Sequence, residues 1–208
     1  MMVDDDIRHQ RRSIRLQSYD YSKGGAYFVT ICTHKHFCLL LEPGPRKMID
    51  RVWEELPRRY RRLRLDAFVI MPNHVHATLV LSPRIIGPEM PARRAPAGIV
   101  RPSFETESGG DAHSDSSCSE RQPCYLGDVI CAFKSLTSCE YIRGVRELNW
   151  RPFEKRLWQR NYYERVVRND RELFRIRDYI TNNPKTWESD RENPQRTGCN
   201  EIYEWLYS

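Results

Sequence analysis

An α+β sandwich, with helices packed on a mainly antiparallel sheet, is the fold class that three features of the sequence predict. Two apolar runs, 65–71 and 75–81, flank Pro72-Asn73, a dipeptide that favours a tight antiparallel hairpin. Residues 46–60 and 170–183 carry apolar side chains at helical spacing. Residues 26–33 (AYFVTICT) are a run of β-branched and aromatic residues, the composition of a buried strand. Strand and helix signals thus share one chain, as a layered sandwich requires.

Composition sets the outer bounds. With 208 residues, 39% of them hydrophobic, the chain has room for one globular domain with a sizeable core. The formal charge is +6 and the pI about 9.0, with arginine well ahead of lysine. Such a balance fits a polyanionic partner, most simply nucleic acid, although a solvated basic surface has the same composition. No apolar run approaches the ~20 residues of a membrane span, and residues 1–10 hold no signal-peptide core. The cysteines, Cys32, Cys38, Cys118, Cys124, Cys131, Cys139 and Cys199, are odd in number and form no CxxC. Neither a disulfide framework nor a cysteine zinc site is indicated, and a reducing cytoplasm is the expected compartment.

In chain order, residues 1–25 are polar and carry Arg8, Arg11, Arg12 and Arg15, an extended basic arm suited to gripping phosphates. Gly24-Gly25 ends it, and the first strand follows at 26–33. Pro43-Gly44-Pro45 marks a loop before a helix over 46–60, with Met48, Ile49, Val52, Trp53 and Leu56 inward. The hairpin comes next. From 84 to 123 the character changes, with scattered prolines and then a Ser/Gly/Asp/Glu-rich run over 103–120. That composition cannot bury a core and reads as a disordered insertion, with His113, Cys118 and Cys124 a weak candidate for a metal knuckle. Residues 126–143 read as a helix with Asp128 as its cap and Val129, Ile130, Phe133, Leu136 and Ile142 inward; Lys134 and Arg143 fall off that stripe. A last strand and turn are expected over 155–167. A last helix over 170–183 has Leu173, Ile176 and Ile180 inward and is stopped by Pro184, leaving 188–208 as a tail. The order strand, helix, strand, strand, helix, strand, helix is that of a split-βαβ, ferredoxin-like domain, built from 26–83 and 124–187.

Two pairs of residues carry the candidate chemistry. His74 and His76 alternate with Val75 on the second hairpin strand, so both leave the same face, about 7 Å apart along the strand. Two imidazoles on a rigid face are half of a metal site, though an inert, hydrogen-bonded pair has the same pattern. Tyr179 and Asn183 are four residues apart and share a helix face. A tyrosine hydroxyl can attack phosphorus, and an asparagine oxygen is a good ligand for a hard divalent ion. If that helix lies across the sheet, Asn183 completes the histidine set and Tyr179 stands beside the ion. By spacing alone Tyr162 and Tyr163 are equally tyrosines, and a core role for Tyr179 fits as well.

Five blocks, RRSIRLQSYDYSKGGAYFVTICTH, FVIMPNHVHATLVL, LGDVICAFKSLTS, LWQRNYYERVVRND and IRDYITNNPKTW, cover nearly everything outside 84–123. In this order they resemble the REP-associated tyrosine transposases, a branch of the HUH-type single-tyrosine transposases of prokaryotic insertion sequences. The resemblance implies that His74, His76 and Asn183 bind Mg²⁺ or Mn²⁺, and that Tyr179 is the nucleophile, with His74 and His76 serving catalysis through the metal. It implies nicking and rejoining of single-stranded DNA at repeat hairpins through a 5′-phosphotyrosine intermediate, without ATP. Imidazole ligation suits Mn²⁺, whereas Mg²⁺ prefers oxygen. The implied setting is the nucleoid in the cytoplasm, as a monomer or homodimer, with no membrane partner. The 84–123 insertion departs from the family pattern and bears on repeat choice and DNA path, not on the named residues. Two readings of other classes stand beside this one. A host factor of the same fold would bind hairpins without cutting, against which the intact His, His, Tyr and Asn set argues. An RNA-binding module would stack bases on sheet aromatics, but no RNP-like aromatic block stands on the predicted strands.

Overall fold

The computed structural model describes residues 24–83, 125–198, 202, 205 and 206. The 1–23 part of the arm, with Arg8, Arg11, Arg12 and Arg15, lies outside the described residues, as do the 84–123 insertion, Cys124 and Cys199. The elements are β1 (Gly25–Cys32), α1 (Pro43–Arg59), β2 (Leu63–Ile70), β3 (His74–Leu81), α2 (Leu126–Glu147), β4 (Tyr163–Val167) and α3 (Asp170–Asn182). Two 3₁₀ turns, His34–His36 and Asn183–Ser189, follow β1 and α3. The four strands stand in the order β2-β3-β1-β4 with every neighbouring pair antiparallel. This is the expected split-βαβ arrangement, with β1 and β3 in its centre.

Both faces of the central strands are covered, which is why β1 is apolar almost throughout. Tyr27, Val29 and Ile31 of β1, with Val75, Ala77, Leu79 and Leu81 of β3, pack with Ile49, Val52, Trp53, Leu56, Val129 and Phe133 from α1 and α2. Trp53 stacks on Phe68 of β2 with ring centroids 4.6 Å apart. On the alternate residues of the same strands, Phe28 packs with Ile176, Tyr179 and Ile180 of α3. Each such side chain taken from water is worth about 1.5–3 kcal/mol, enough to seat α3 on the sheet. The period of two therefore directs His74 and His76 toward α3, while Val75 and Ala77 serve the opposite core.

Several boundaries differ from the sequence reading, each for a local reason. Pro43-Gly44-Pro45 is the first turn of α1, because proline is favoured where the helix has no N–H to satisfy. Gly44 is needed there, since a Cβ would stand 2.8 Å from Trp150 Nε1. The α2 stripe passes through Thr137, Tyr141 and Gly144, so Ile142, one residue off it, is exposed and Leu136 half-buried. Asp128 serves from the third helical position: its carboxylate accepts the Tyr125 N–H at 3.0 Å. The last strand is only Tyr163–Val167. Before it, Lys134 Nζ donates to the carbonyls of Gln159, Arg160 and Asn161 at 3.1, 3.2 and 3.0 Å, which withdraws those groups from a strand ladder. Leu173 is half-buried, and past Pro184 the chain tightens into the 3₁₀ turn. No helix of the described residues is long and apolar enough to cross a membrane.

Candidate active site

The site forms where β3 runs beside β1 and α3 crosses them. His76 is directly opposite Thr30 and His74 directly opposite Cys32. Behind the histidines the turn is pinned by Thr33 N–H donating to Asn73 O at 2.8 Å and Met71 N–H to His74 O at 2.8 Å. His74 Nε2 and His76 Nε2 converge to 2.9 Å, and the Tyr179 hydroxyl lies 2.9 Å from His76 Nε2. Asn183 Nδ2 donates to that hydroxyl at 3.0 Å. The fold thus brings His74, His76, Tyr179 and Asn183 into one cluster, all buried. Tyr163, by contrast, begins β4 and donates its hydroxyl to Leu206 O, while the Tyr162 ring lies 5.3 Å from Lys134 Nζ.

Three further residues belong to the cluster. Asn73 Nδ2 donates to His36 O at 3.2 Å and Glu192 O at 2.6 Å, so its Oδ1 must face His74 Nδ1, 2.7 Å away. His74 therefore carries its proton on Nδ1 and presents the Nε2 lone pair to the cluster, a tautomer set by the neighbour. His76 Nδ1 meets Thr30 Oγ1 at 2.9 Å. A hydroxyl can accept as well as donate, so His76 is equally able to expose a lone pair at Nε2. Asp190, fully buried, places Oδ2 3.7 Å from His74 Nε2. It lies in the stretch read as a tail, where no periodicity marked it. Asn73 was visible in the sequence only as a turn residue, and its role follows from two backbone carbonyls that no local pattern announces.

Burial lowers the pKa of His76 to about 3. It lowers that of His74 well below the usual histidine value too, with the neighbouring His76 and His36 adding to the effect. Both rings are neutral at pH 7, so the Asp190 contact is not an ion pair; neutral rings are the form that binds metal. Three donor atoms, one each from His74, His76 and Asp190, lie within 4.8 Å of one another. Two donors bonded at about 2.1 Å and at right angles to one ion stand about 3.0 Å apart, close to the 2.9 Å observed. Asn183 Oδ1 is buried and has no hydrogen-bond partner, an arrangement that costs about 1–3 kcal/mol unless something satisfies the oxygen. These residues fit a divalent cation.

A pH dependence follows for the metal-free protein. Above the ordinary histidine value of 6.5 neither folded nor unfolded His76 is charged, and stability does not change on its account. As pH falls from 6.5 toward about 3, the unfolded ring binds a proton that the folded ring refuses. Stability is expected to drop by up to about 1.4 kcal/mol per pH unit from His76, with His74 acting in the same direction. Urea unfolding of the metal-free chain between pH 8 and pH 4 measures this, and a flat profile below 6.5 would contradict it.

Comparison with known proteins gives a relative from Haemophilus influenzae, described as uncharacterized. It is 30% identical over 192 residues, covering 88% of this chain and 93% of its own. Among solved structures, a REP-associated tyrosine transposase bound to a REP hairpin is similar at 18% identity. That match covers 82% of this chain and 73% of the other, with a TM-score of 0.45. A Deinococcus radiodurans protein with a provisional transposase label is similar at 15% identity, covering 88% and 98%, with a TM-score of 0.37. No family model matches the chain.

Proposed function

We propose that this chain, which belongs to the family of its Haemophilus influenzae relative, is a metal-dependent single-strand DNA transposase that nicks and rejoins repeat hairpins through Tyr179. One observation carries the reading: the Tyr179 hydroxyl touches His76 Nε2 at 2.9 Å and Asn183 Nδ2 at 3.0 Å inside a buried set of metal-type donors. A core tyrosine needs one partner for its hydroxyl, not a convergence of two imidazoles, an amide and a carboxylate.

His74, His76, Asn183 and Asp190 are the residues that would hold a divalent ion. Bound there, Mg²⁺ or Mn²⁺ would polarise the scissile phosphate and stabilise its developing charge, and the two imidazoles favour Mn²⁺. The phenolic oxygen of Tyr179 attacks phosphorus, a Tyr–O–P bond to the 5′ phosphate forms, and the P–O3′ bond breaks. The proton lost by Tyr179 is balanced by one gained at the leaving 3′ oxygen. Attack by a 3′-OH reverses the step and rejoins a strand. Helix α3 and strand β3, not loops, hold the nucleophile and the imidazoles, which limits the orientational freedom to be lost on reaction. A cavity of about 850 Å³, lined by Lys35, Phe37, Arg151 and Trp187 among others, supplies cations and rings of the kind that hold single strands. Trp187 links it to the site, its ring centroid 6.1 Å from that of His74. Arg8, Arg11, Arg12 and Arg15 would add phosphate contacts from the arm.

The full burial of His74, His76 and Asn183 favours a second reading, a hairpin-binding protein of this fold that does not cut. Incubating the full chain with labelled single-stranded repeat DNA from around its own gene, with Mn²⁺, with Mg²⁺ or with chelator, separates the two. Cutting only with metal is expected. Binding without cutting in either metal selects the second reading, and neither binding nor cutting overturns both.

A further inference from the structure

We propose that Cys32, His36 and Glu192 form a second metal site, distinct from the histidine pair and suited to a thiophilic divalent ion such as Zn²⁺. The three donor atoms lie within 4.8 Å of one another. Cys32 Sγ is 3.5 Å from Glu192 Oε2, and His36 Nδ1 is 3.4 Å from the same oxygen. A tetrahedral ion about 2.3 Å from sulfur and about 2.0–2.1 Å from nitrogen and oxygen holds S and O about 3.5 Å apart, and N and O about 3.3–3.4 Å apart. The observed spacings are those edges, and the N···O one is long for a hydrogen bond. His36 Nδ1 is buried without a hydrogen-bond partner, although its Nε2 meets Gln159 Nε2 at 2.8 Å. With the Gln159 amide turned to place Oε1 there, the His36 Nε2–H would donate to it, the contact that orients an imidazole bound through Nδ1.

The backbone holds all three residues in place. Lys35 and His36 both have a φ of 55°, a left-handed turn secured by Thr33 Oγ1 donating to Phe37 O at 2.7 Å. Glu192 N–H donates to Asp190 Oδ1 at 2.7 Å, while Glu192 O accepts from Asn73 at 2.6 Å. One short turn thus offers Asp190 to the histidine pair and Glu192 to this second set. The 850 Å³ cavity is lined by His36, which gives an ion a way in. Without metal the thiol is protonated, its pKa pushed far up by burial and by Glu192. Binding forms an S–metal bond and releases that proton to solvent, and the remaining position is left to water. No CxxC marks the site in sequence, because its ligands come from a strand end, a 3₁₀ turn and a segment 160 residues on from Cys32.

Titrating the metal-free full chain with Co²⁺ tests this, since a thiolate ligand produces a charge-transfer band in the near ultraviolet. The band should appear with His74→Ala as with the unmodified chain, and disappear with Cys32→Ser. Its absence from the unmodified chain, or its persistence in Cys32→Ser, overturns the site. Should Cys32→Ser fail to fold, Glu192→Gln decides. It should weaken Zn²⁺ binding at least tenfold, measured by competition with a chromophoric chelator, and an unchanged affinity overturns the site. Strand cutting is read separately: its loss leaves this site intact, and loss of this site leaves the histidine pair.

Discussion

Tyr179→Phe is expected to lower strand cleavage by at least about a thousandfold and to abolish the covalent protein–DNA adduct, while DNA binding persists. The substitution removes the phenolic oxygen that would bond to phosphorus and keeps the ring. That ring stays edge-on to Phe28, at 6.0 Å between centroids, with Ile176 and Ile180 beside it in the same apolar cluster. The structural cost is the lost hydroxyl contacts to His76 and Asn183, about 1–2 kcal/mol, which a folded domain tolerates. Tyr163→Phe is the matched control, because its hydroxyl serves Leu206 O. It should cut normally. Cleavage surviving in the Tyr179 variant, or vanishing in the Tyr163 variant alone, would reverse the assignment.

The next largest effects are expected at the imidazoles. His74→Ala and His76→Ala should each abolish metal-dependent cleavage and weaken Mn²⁺ binding by at least about a hundredfold, read by calorimetry on the full chain. Asn183→Ala should be milder, since water can replace one neutral ligand. Asn73→Ala touches no ion directly but frees the His74 ring to flip its tautomer. A loss of about 10–100-fold in affinity is expected there, the range for a partner that orients a metal ligand. Calorimetry showing unchanged Mn²⁺ binding in both histidine variants would remove the metal from this site.

Much of this was legible in the sequence because it rests on local periods. Alternation along 74–81 placed both histidines on one face, and four-residue spacing placed Tyr179 with Asn183. The helical stripe of Met48, Ile49, Val52, Trp53 and Leu56 is buried as expected. The omissions are where side chains from distant segments meet. Asp190 and Glu192 sit in a turn without periodicity, and Asn73 acts through carbonyls of residues 36 and 192. The last strand starts later than its alternation suggests for the same reason: the three carbonyls held by Lys134 belong to a contact across 25 to 27 residues. Ile142 misled because an apolar residue one step off a stripe looks the same in sequence as one on it.

The central claim is that Tyr179 becomes joined to a 5′ phosphate in a metal-dependent step. Mass spectrometry of the peptide that carries a nucleotide, recovered after the full chain has reacted with single-stranded repeat DNA and Mn²⁺ and been denatured, tests it most directly. A phosphodiester on Tyr179, formed with Mn²⁺ and missing with chelator, is the expected result. The nucleotide on Tyr162 or Tyr163, or cleaved DNA with no protein adduct, would contradict it.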